Sequence, residues 1–294
     1  MKRALIIVNP SSGKEKAIGY AEKVQTVLEE MQNETMITYT KEEGDAERFA
    51  KTACDQKYNI IVSMGGDGTL NEIINGIALK KHRPTLGIIP MGTVNDFARA
   101  LHIPLNPEEA IGLLEIASIE QVDIGKIGTR YFANTLAVGP LAEMTAEVSV
   151  EKKTALGSFA YFIEGLKSLV EKETFHLLVE GDNEKWEGEA ILFLATLSNS
   201  GGGFEKLSPQ AMPDDGFCHC YMIKNVPMPK LIRIVTSLLR GQLKEDPDVV
   251  YLKTREARLT ADKPLYANMD GELGDELPLK VSVLPKHIGV YVKK

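Results

Sequence analysis

Five residues, Gly65-Gly66-Asp67-Gly68-Thr69, follow the apolar segment Asn59–Met64. Glycine permits close backbone approach and positive φ, so Gly65, Gly66 and Gly68 can aim successive N–H groups at a phosphate. A helix opening just after them adds the positive end of its dipole. A carboxylate such as Asp67 belongs among phosphates where Mg²⁺, often through water, joins the two. The plain alternative is a tight turn capped by Asp67 or Thr69.

Two further turns carry similar chemistry. Asn9-Pro10-Ser11-Ser12-Gly13-Lys14 ends the apolar run Ala4–Val8. It lacks the glycine and spacing of a Walker A loop. The hydroxyl of Ser12 and the ammonium of Lys14 can still reach phosphates, and an ordinary strand-to-helix turn explains the segment equally well. The third turn runs from Pro90 through Met91-Gly92-Thr93-Val94-Asn95-Asp96 to Arg99. Here Thr93 can bind phosphate, Asn95 can read a ligand or fix the loop, and Asp96 can cap the helix.

The elements that must position these turns alternate. Strands are expected at Ala4–Val8, Thr35–Thr40, Asn59–Met64 and Thr85–Pro90. Helices are expected over Glu15–Met31, over Asp45–Gln56, from Thr69 through Leu79, and from the third turn through Leu101. This alternation predicts a parallel sheet with helices on both faces. All three turns then lie at the carboxyl ends of strands, where open α/β sheets bind ligands.

After about Gln121 the texture changes. Strand-like runs appear at Val122–Ile127, Tyr131–Val138, Thr174–Glu180, Glu187–Leu197, Phe217–Ile223, Val249–Leu252, Glu256–Thr260, Leu265–Met269 and Leu279–Leu284. Hairpin-type turns between them suggest an antiparallel sandwich or barrel. Helices are expected near Thr154–Lys172 and Pro229–Leu243. The expected organisation is an α/β domain over residues 1–125 and a mostly antiparallel β domain over 126–286. Residues 287–294 are expected to return to the first domain as a strand.

The 294 residues are 44% apolar and 26% charged, enough to build a core. A net charge of −7 argues against a nucleic-acid partner. Three cysteines, Cys54, Cys218 and Cys220, suggest a reducing cytoplasm without structural disulfides. The apolar start stops at Asn9-Pro10, too short for a signal peptide, and no stretch approaches the ~18 apolar residues of a membrane span. On a strand, Cys218 and Cys220 share one face and His219 takes the other, so core packing is expected there rather than a metal site.

The three turns, in this order and spacing, resemble the catalytic domain of the diacylglycerol kinase family, which includes bacterial lipid kinases and sphingosine and ceramide kinases. Later landmarks extend the resemblance over nearly the whole chain: Val122-Asp123-Ile124-Gly125, Phe132-Ala133-Asn134, Pro213-Asp214-Asp215-Gly216 and Met269-Asp270-Gly271-Glu272. The resemblance implies a nucleotide-binding α/β domain followed by a β-sandwich, with the active site in the cleft. It also implies transfer of the ATP γ-phosphoryl group to a lipid hydroxyl, most simply that of diacylglycerol.

By the same resemblance, Asp67 acts through Mg²⁺ near the phosphates, with Thr93 and Lys14 close by. Asn95 lines the nucleotide pocket, Asp123 joins the Mg²⁺–water network, and Glu272 is the base for the lipid hydroxyl. Read without the family, Asp123 and Glu272 are ordinary solvated acids. Asp214 and Asp215 look like a second, structural Mg²⁺ site, against the alternative of a plain Asp-Gly turn. Family members often carry an Asp three residues after Gly216, where this chain has His219.

A lipid substrate implies peripheral contact with the inner face of the membrane. The helix over Lys230–Leu243 has an apolar stripe with Lys230, Arg233, Arg240 and Lys244 around it, a pattern that suits an anionic bilayer or plain packing on its own domain. β-Domain edges can pair, so a homodimer is also considered. Two other readings stand beside the lipid kinase. An NAD kinase shares Gly65–Thr69, but that family's Thr-Ala-Tyr region is missing. A non-catalytic nucleotide-binding regulator is disfavoured because Asp67, Asp123 and Glu272 are all retained.

Overall fold

The structure is a computed structural model that describes residues 2–13, 16–139 and 174–293. The chain divides into two compact units: Met1–Ile124 with Pro285–Lys294, and Gly125–Leu284. Lys14 and the helix expected over Thr154–Lys172 lie outside the described residues.

The first unit is a parallel α/β sheet. Its strands are β1 (Lys2–Val8), β2 (Asn33–Tyr39), β3 (Ile60–Gly65) and β4 (Thr85–Pro90), joined on the far side of β4 by the end of β15 (Leu279–Val292). The order β2-β1-β3-β4-β15 runs parallel throughout, with Ile6 opposite Ile37 and Val62, Ile61 opposite Leu86, and Val290 opposite Leu86. Helices on both faces bury the central strands, so β1 and β3 read as continuous apolar runs rather than alternating ones.

The intervening helices are α1 (Ala17–Glu30), α2 (Asp45–Asp55), α3 (Asp67–Ala78), α4 (Asp96–Ala100) and α5 (Pro107–Ile116). Helices α2 and α3 pack together, as do α1 and α5. α5 has no counterpart in the sequence expectation. It begins where Asn106 Oδ1 accepts the Glu108 N–H at 2.9 Å and Pro107 occupies the first turn. α4 is a single short turn, shorter than the helix expected through Leu101.

The second unit is antiparallel. β5 (Ser118–Ile127) enters it, and β6 (Arg130–Phe132) pairs back on β5 at Gly125 and Phe132. The remaining strands are β7 (Thr135–Val138), β8 (Phe175–Gly181), β9 (Lys185–Thr196), β10 (Cys218–Lys224), β11 (Val249–Thr254), β12 (Glu256–Ala261), β13 (Tyr266–Met269) and β14 (Glu272–Glu276), together with the start of β15. They run β14-β13-β7-β9-β8-β12-β15, with β10 also on β9 and β11 on β10.

Phe132, Phe175, Phe193, Leu259 and Met222 pack in the interior of this unit with Cys218 and Cys220. A second cluster lies under α6 (Met228–Leu239), where Leu231, Ile234, Val235 and Leu238 meet Tyr221. The single strand expected over Tyr131–Val138 is two strands, broken at Ala133-Asn134. The two strands expected near the end form one continuous β15. β14, polar and largely exposed, is additional. Among the described residues, no helix is long and apolar enough to cross a membrane.

Candidate active site

β1 and β3 are neighbours at the point where the order of the parallel strands reverses, the position at which such sheets open a ligand crevice. The three loops leaving β1, β3 and β4 are laced together there. Asn9 N–H donates to Met64 O at 2.9 Å, and Asn9 Nδ2 donates to Thr69 Oγ1 at 3.2 Å. Gly13 N–H reaches Met91 O at 3.0 Å, and Met91 N–H reaches Gly65 O at 2.8 Å. Within the first loop Asn9 Oδ1 accepts from Ser11, while Ser12 N–H closes on Asn9 O.

Gly65 ends β3, Gly66 caps α3, and Gly68 sits exposed in its first turn. None of the three is left-handed. The expected use of positive φ is therefore not what selects glycine here; close approach is. A Cβ on Gly92 would lie 2.6 Å from Gly66 Cα and 2.8 Å from Asn95 Oδ1. The second and third loops touch backbone to backbone, which only a Gly–Gly pair allows.

Asn95 caps α4 in the left-handed region, with φ of 56°, a conformation its short amide tolerates. Its side chain brackets Gly92, accepting from Gly92 N and donating to Gly92 O, both at 2.9 Å. Asn95 thus fixes the loop, while Thr93 stands exposed at its tip.

Asp67 is the group these contacts hold. Its Oδ2 accepts the Asn95 N–H at 2.8 Å. Burial pushes its carboxyl above the usual carboxylate range, opposed by backbone N–H groups of Asn95, Phe97 and Asp96. Asp67 and Asn95 line a narrow cavity with Gly65, Gly66, Leu70 and Ile88. A half-buried carboxylate that burial disfavours as an anion, at the N-terminus of α3 and in one cavity with Ser63, can take a hard divalent cation.

Asp123 lies in β5, only 2% exposed, and its Oδ1 accepts the Lys286 N–H at 2.7 Å. This bond holds the chain where Lys286 takes a positive φ of 50°.

In the second unit, Glu272 opens β14 directly after a tight turn. Asp270 and Gly271 both have positive φ, and Asn268 Oδ1 accepts the Gly271 N–H at 2.9 Å. Asp270 anchors the turn by accepting three successive backbone N–H groups, from Ala133, Asn134 and Thr135, at 2.6, 3.0 and 2.8 Å. Arg130 approaches Glu272 Oε2 at 3.6 Å and donates to Leu273 O at 2.9 Å. Sequence reasoning assigned no role to Asp270 or Arg130. The Phe132-Ala133-Asn134 landmark was the signal, because those residues supply the amides that Asp270 binds.

Asp214 is exposed. Asp215 is engaged within the fold: His219 Nε2 lies 3.0 Å and Lys253 Nζ 2.9 Å from its Oδ2, and Phe217 N–H donates to Oδ1 at 3.0 Å. Two of the four cations expected around α6 are also spent internally. Lys230 pairs with Asp248, and Arg233 pairs with Asp246 and Asp248. Lys244 lies over the Tyr251 ring at 4.3 Å. All three cysteines are free and buried.

Comparison with known proteins agrees with this geometry. Residues 3–127 match the family model of the diacylglycerol kinase catalytic domain. Residues 137–292 match the YegS C-terminal NAD kinase beta sandwich-like domain. The chain is 42% identical over 290 residues to a Staphylococcus saprophyticus protein named diacylglycerol kinase, covering 99% of this chain and 95% of that one. It is 41% identical to a Staphylococcus aureus (strain MRSA252) protein of the same name, covering 99% and 92%. A crystal structure of a candidate diacylglycerol kinase from Bacillus anthracis str. Sterne superposes with a TM-score of 0.88 at 27% identity, covering 99% of this chain and 95% of that one.

Proposed function

The chain belongs to the diacylglycerol kinase family, and on that premise we propose that it transfers the γ-phosphoryl group of ATP to a lipid hydroxyl, with diacylglycerol as substrate and phosphatidic acid as product. The observation that carries this reading is the lacing of three strand-end loops around Asp67.

Phosphoryl transfer demands charge neutralisation, positioning and an acceptor for the hydroxyl proton. In this proposal the Asn9–Gly13, Gly65–Thr69 and Gly92–Asn95 loops seat the nucleotide, and Ser12, Thr69 and Thr93 supply hydroxyls to its phosphates. Asp67 is the carboxylate that holds Mg²⁺, which when bound offsets phosphate charge. Asp123 joins the Mg²⁺–water network in this proposal, and its bond to the Lys286 N–H ties β5 to β15. Glu272, held by Asp270 and Arg130, takes the proton from the lipid hydroxyl as general base.

A diacylglycerol substrate lies in a bilayer, so the proposal includes peripheral membrane contact. With Lys230 and Arg233 committed to Asp246 and Asp248, the face of α6 is less cationic than its sequence suggests.

The test is transfer of labelled phosphate from Mg·ATP in the presence of mixed micelles of diacylglycerol, phosphatidylglycerol or other single-hydroxyl lipids, with NAD as a control. Label in diacylglycerol supports the proposal. Label in NAD, or none in any lipid, contradicts it.

A further inference from the structure

The second Mg²⁺ that the family resemblance implies would need hard oxygen ligands from Asp214 and Asp215. The neighbourhood of Asp215 does not fit it. The β10–β11 register sets His219 directly opposite Lys253, so both side chains leave the same face of the sheet. Tyr251, two residues before Lys253, points from that face as well. Asp215 folds back over this patch four residues before His219.

Both carboxylate oxygens of Asp215 and both ring nitrogens of His219 find partners within the fold. His219 is fully buried between Asp215 Oδ2, 3.0 Å from Nε2, and the Tyr251 hydroxyl, 2.7 Å from Nδ1. A neutral imidazole satisfies both by donating from Nε2 and accepting at Nδ1. Lys253 Nζ adds a second donor to the same Asp215 oxygen at 2.9 Å and rests 4.3 Å from the Phe217 ring centroid. The other oxygen takes the Phe217 N–H.

A divalent cation on Asp215 Oδ2 would have to expel an ammonium from hydrogen-bond distance, and one on Oδ1 would meet the Phe217 N–H with that ammonium on the neighbouring oxygen. It would also face an imidazole N–H where a third carboxylate would be expected. Ammonium and metal compete for one oxygen, and like charges this close repel.

We propose that in this chain the Lys253 ammonium, with His219 donating beside it, replaces the divalent cation at Asp215, so that the Asp214–Gly216 turn is ordered without a metal. Lys253 and His219 then hold together the ends of β10 and β11 from within the chain. The inference concerns the second unit alone and does not depend on which substrate receives phosphate.

The test uses the full chain without nucleotide. Bound Mn²⁺ is counted by electron paramagnetic resonance in the unsubstituted protein and in Asp215→Asn, and thermal unfolding is followed in EDTA and in Mg²⁺. The expected result is the same Mn²⁺ count in both proteins and no Mg²⁺-dependent shift of Tm that Asp215→Asn removes. In EDTA, Lys253→Met lowers Tm by about 2–4 °C, Lys253→Arg largely keeps it, and Lys253→Met adds little on top of Asp215→Asn.

One Mn²⁺ fewer in Asp215→Asn would overturn the proposal. So would a Mg²⁺ stabilisation that this variant abolishes. If Asp215→Asn does not fold, the Lys253 pair decides: Lys253→Met as stable in EDTA as the unsubstituted chain overturns the proposal, and a loss that Lys253→Arg avoids supports it.

Discussion

The Asn95 N–H donates to Asp67 Oδ2 at 2.8 Å, although the two residues leave different strands of the parallel sheet. The orientation of the carboxylate and the position of the Gly92–Asn95 loop are therefore a single property. Anything that displaces one displaces the other.

The first consequence concerns pH. Burial raises the Asp67 pKa, so its proton returns at a higher pH than an ordinary carboxylate's. Mg²⁺ binding needs the anion. Acidification should therefore weaken Mg²⁺ affinity and lower kcat/KM above the pH at which a solvated aspartate titrates. A Mg²⁺ titration at several pH values checks this.

The same shift has a stability sign. A group whose folded pKa is raised contributes stability below its unfolded pKa and loses that contribution as pH rises through the folded value. At neutral pH the ionised Asp67 thus costs stability. Asp67→Asn should leave Tm equal or higher at pH 7, with the gap to the unsubstituted protein narrowing on acidification. Parallel thermal melts at neutral and acid pH measure it.

Gly92→Ala places a methyl against Gly66 Cα and Asn95 Oδ1. Overpacking two backbones should cost about 1–3 kcal/mol and raise the KM for ATP. Gly112→Ala, in α5 with open space around it, is the control, and it should stabilise by about 0.5–1 kcal/mol. Denaturant unfolding and nucleotide kinetics separate the two.

Asp270→Ala leaves the N–H groups of Ala133, Asn134 and Thr135 without their carboxylate. The loss should be about 1–3 kcal/mol. It should also lower kcat by loosening the turn that presents Glu272, with little change in the KM for ATP. An equal loss in kcat and nucleotide binding would assign Asp270 a wider structural role.

The first unit was largely legible in the sequence because its signals are local. Strand, glycine turn and helix follow each other within a few residues at Val8–Asn9, Gly65–Asp67 and Pro90–Gly92. α5 is marked locally as well, by the Asn106-Pro107-Glu108 cap, but its apolar residues show no clear stripe beyond that signal. The second unit hid more. The break between β6 and β7 is bridged by Asp270, more than 130 residues away, and β14 is polar and exposed, without an apolar alternation to mark it. Asp67 announced itself by its loop, whereas Glu272 stood out only through family resemblance. The turn at Asp214-Asp215-Gly216 gave no sign of Lys253, which lies 38 residues on and meets Asp215 only through the β10–β11 register.

The most direct measurement is the rate of labelled phosphate transfer from saturating Mg·ATP to diacylglycerol in mixed micelles, for the unsubstituted protein, Asp67→Asn and Glu272→Gln. The account predicts transfer by the first. It predicts losses on the order of 10²–10³ for Asp67→Asn and 10²–10⁴ for Glu272→Gln, with both variants folded. Transfer at an undiminished rate by either variant would contradict the role assigned to that carboxylate, and no transfer by the unsubstituted protein would contradict the account as a whole.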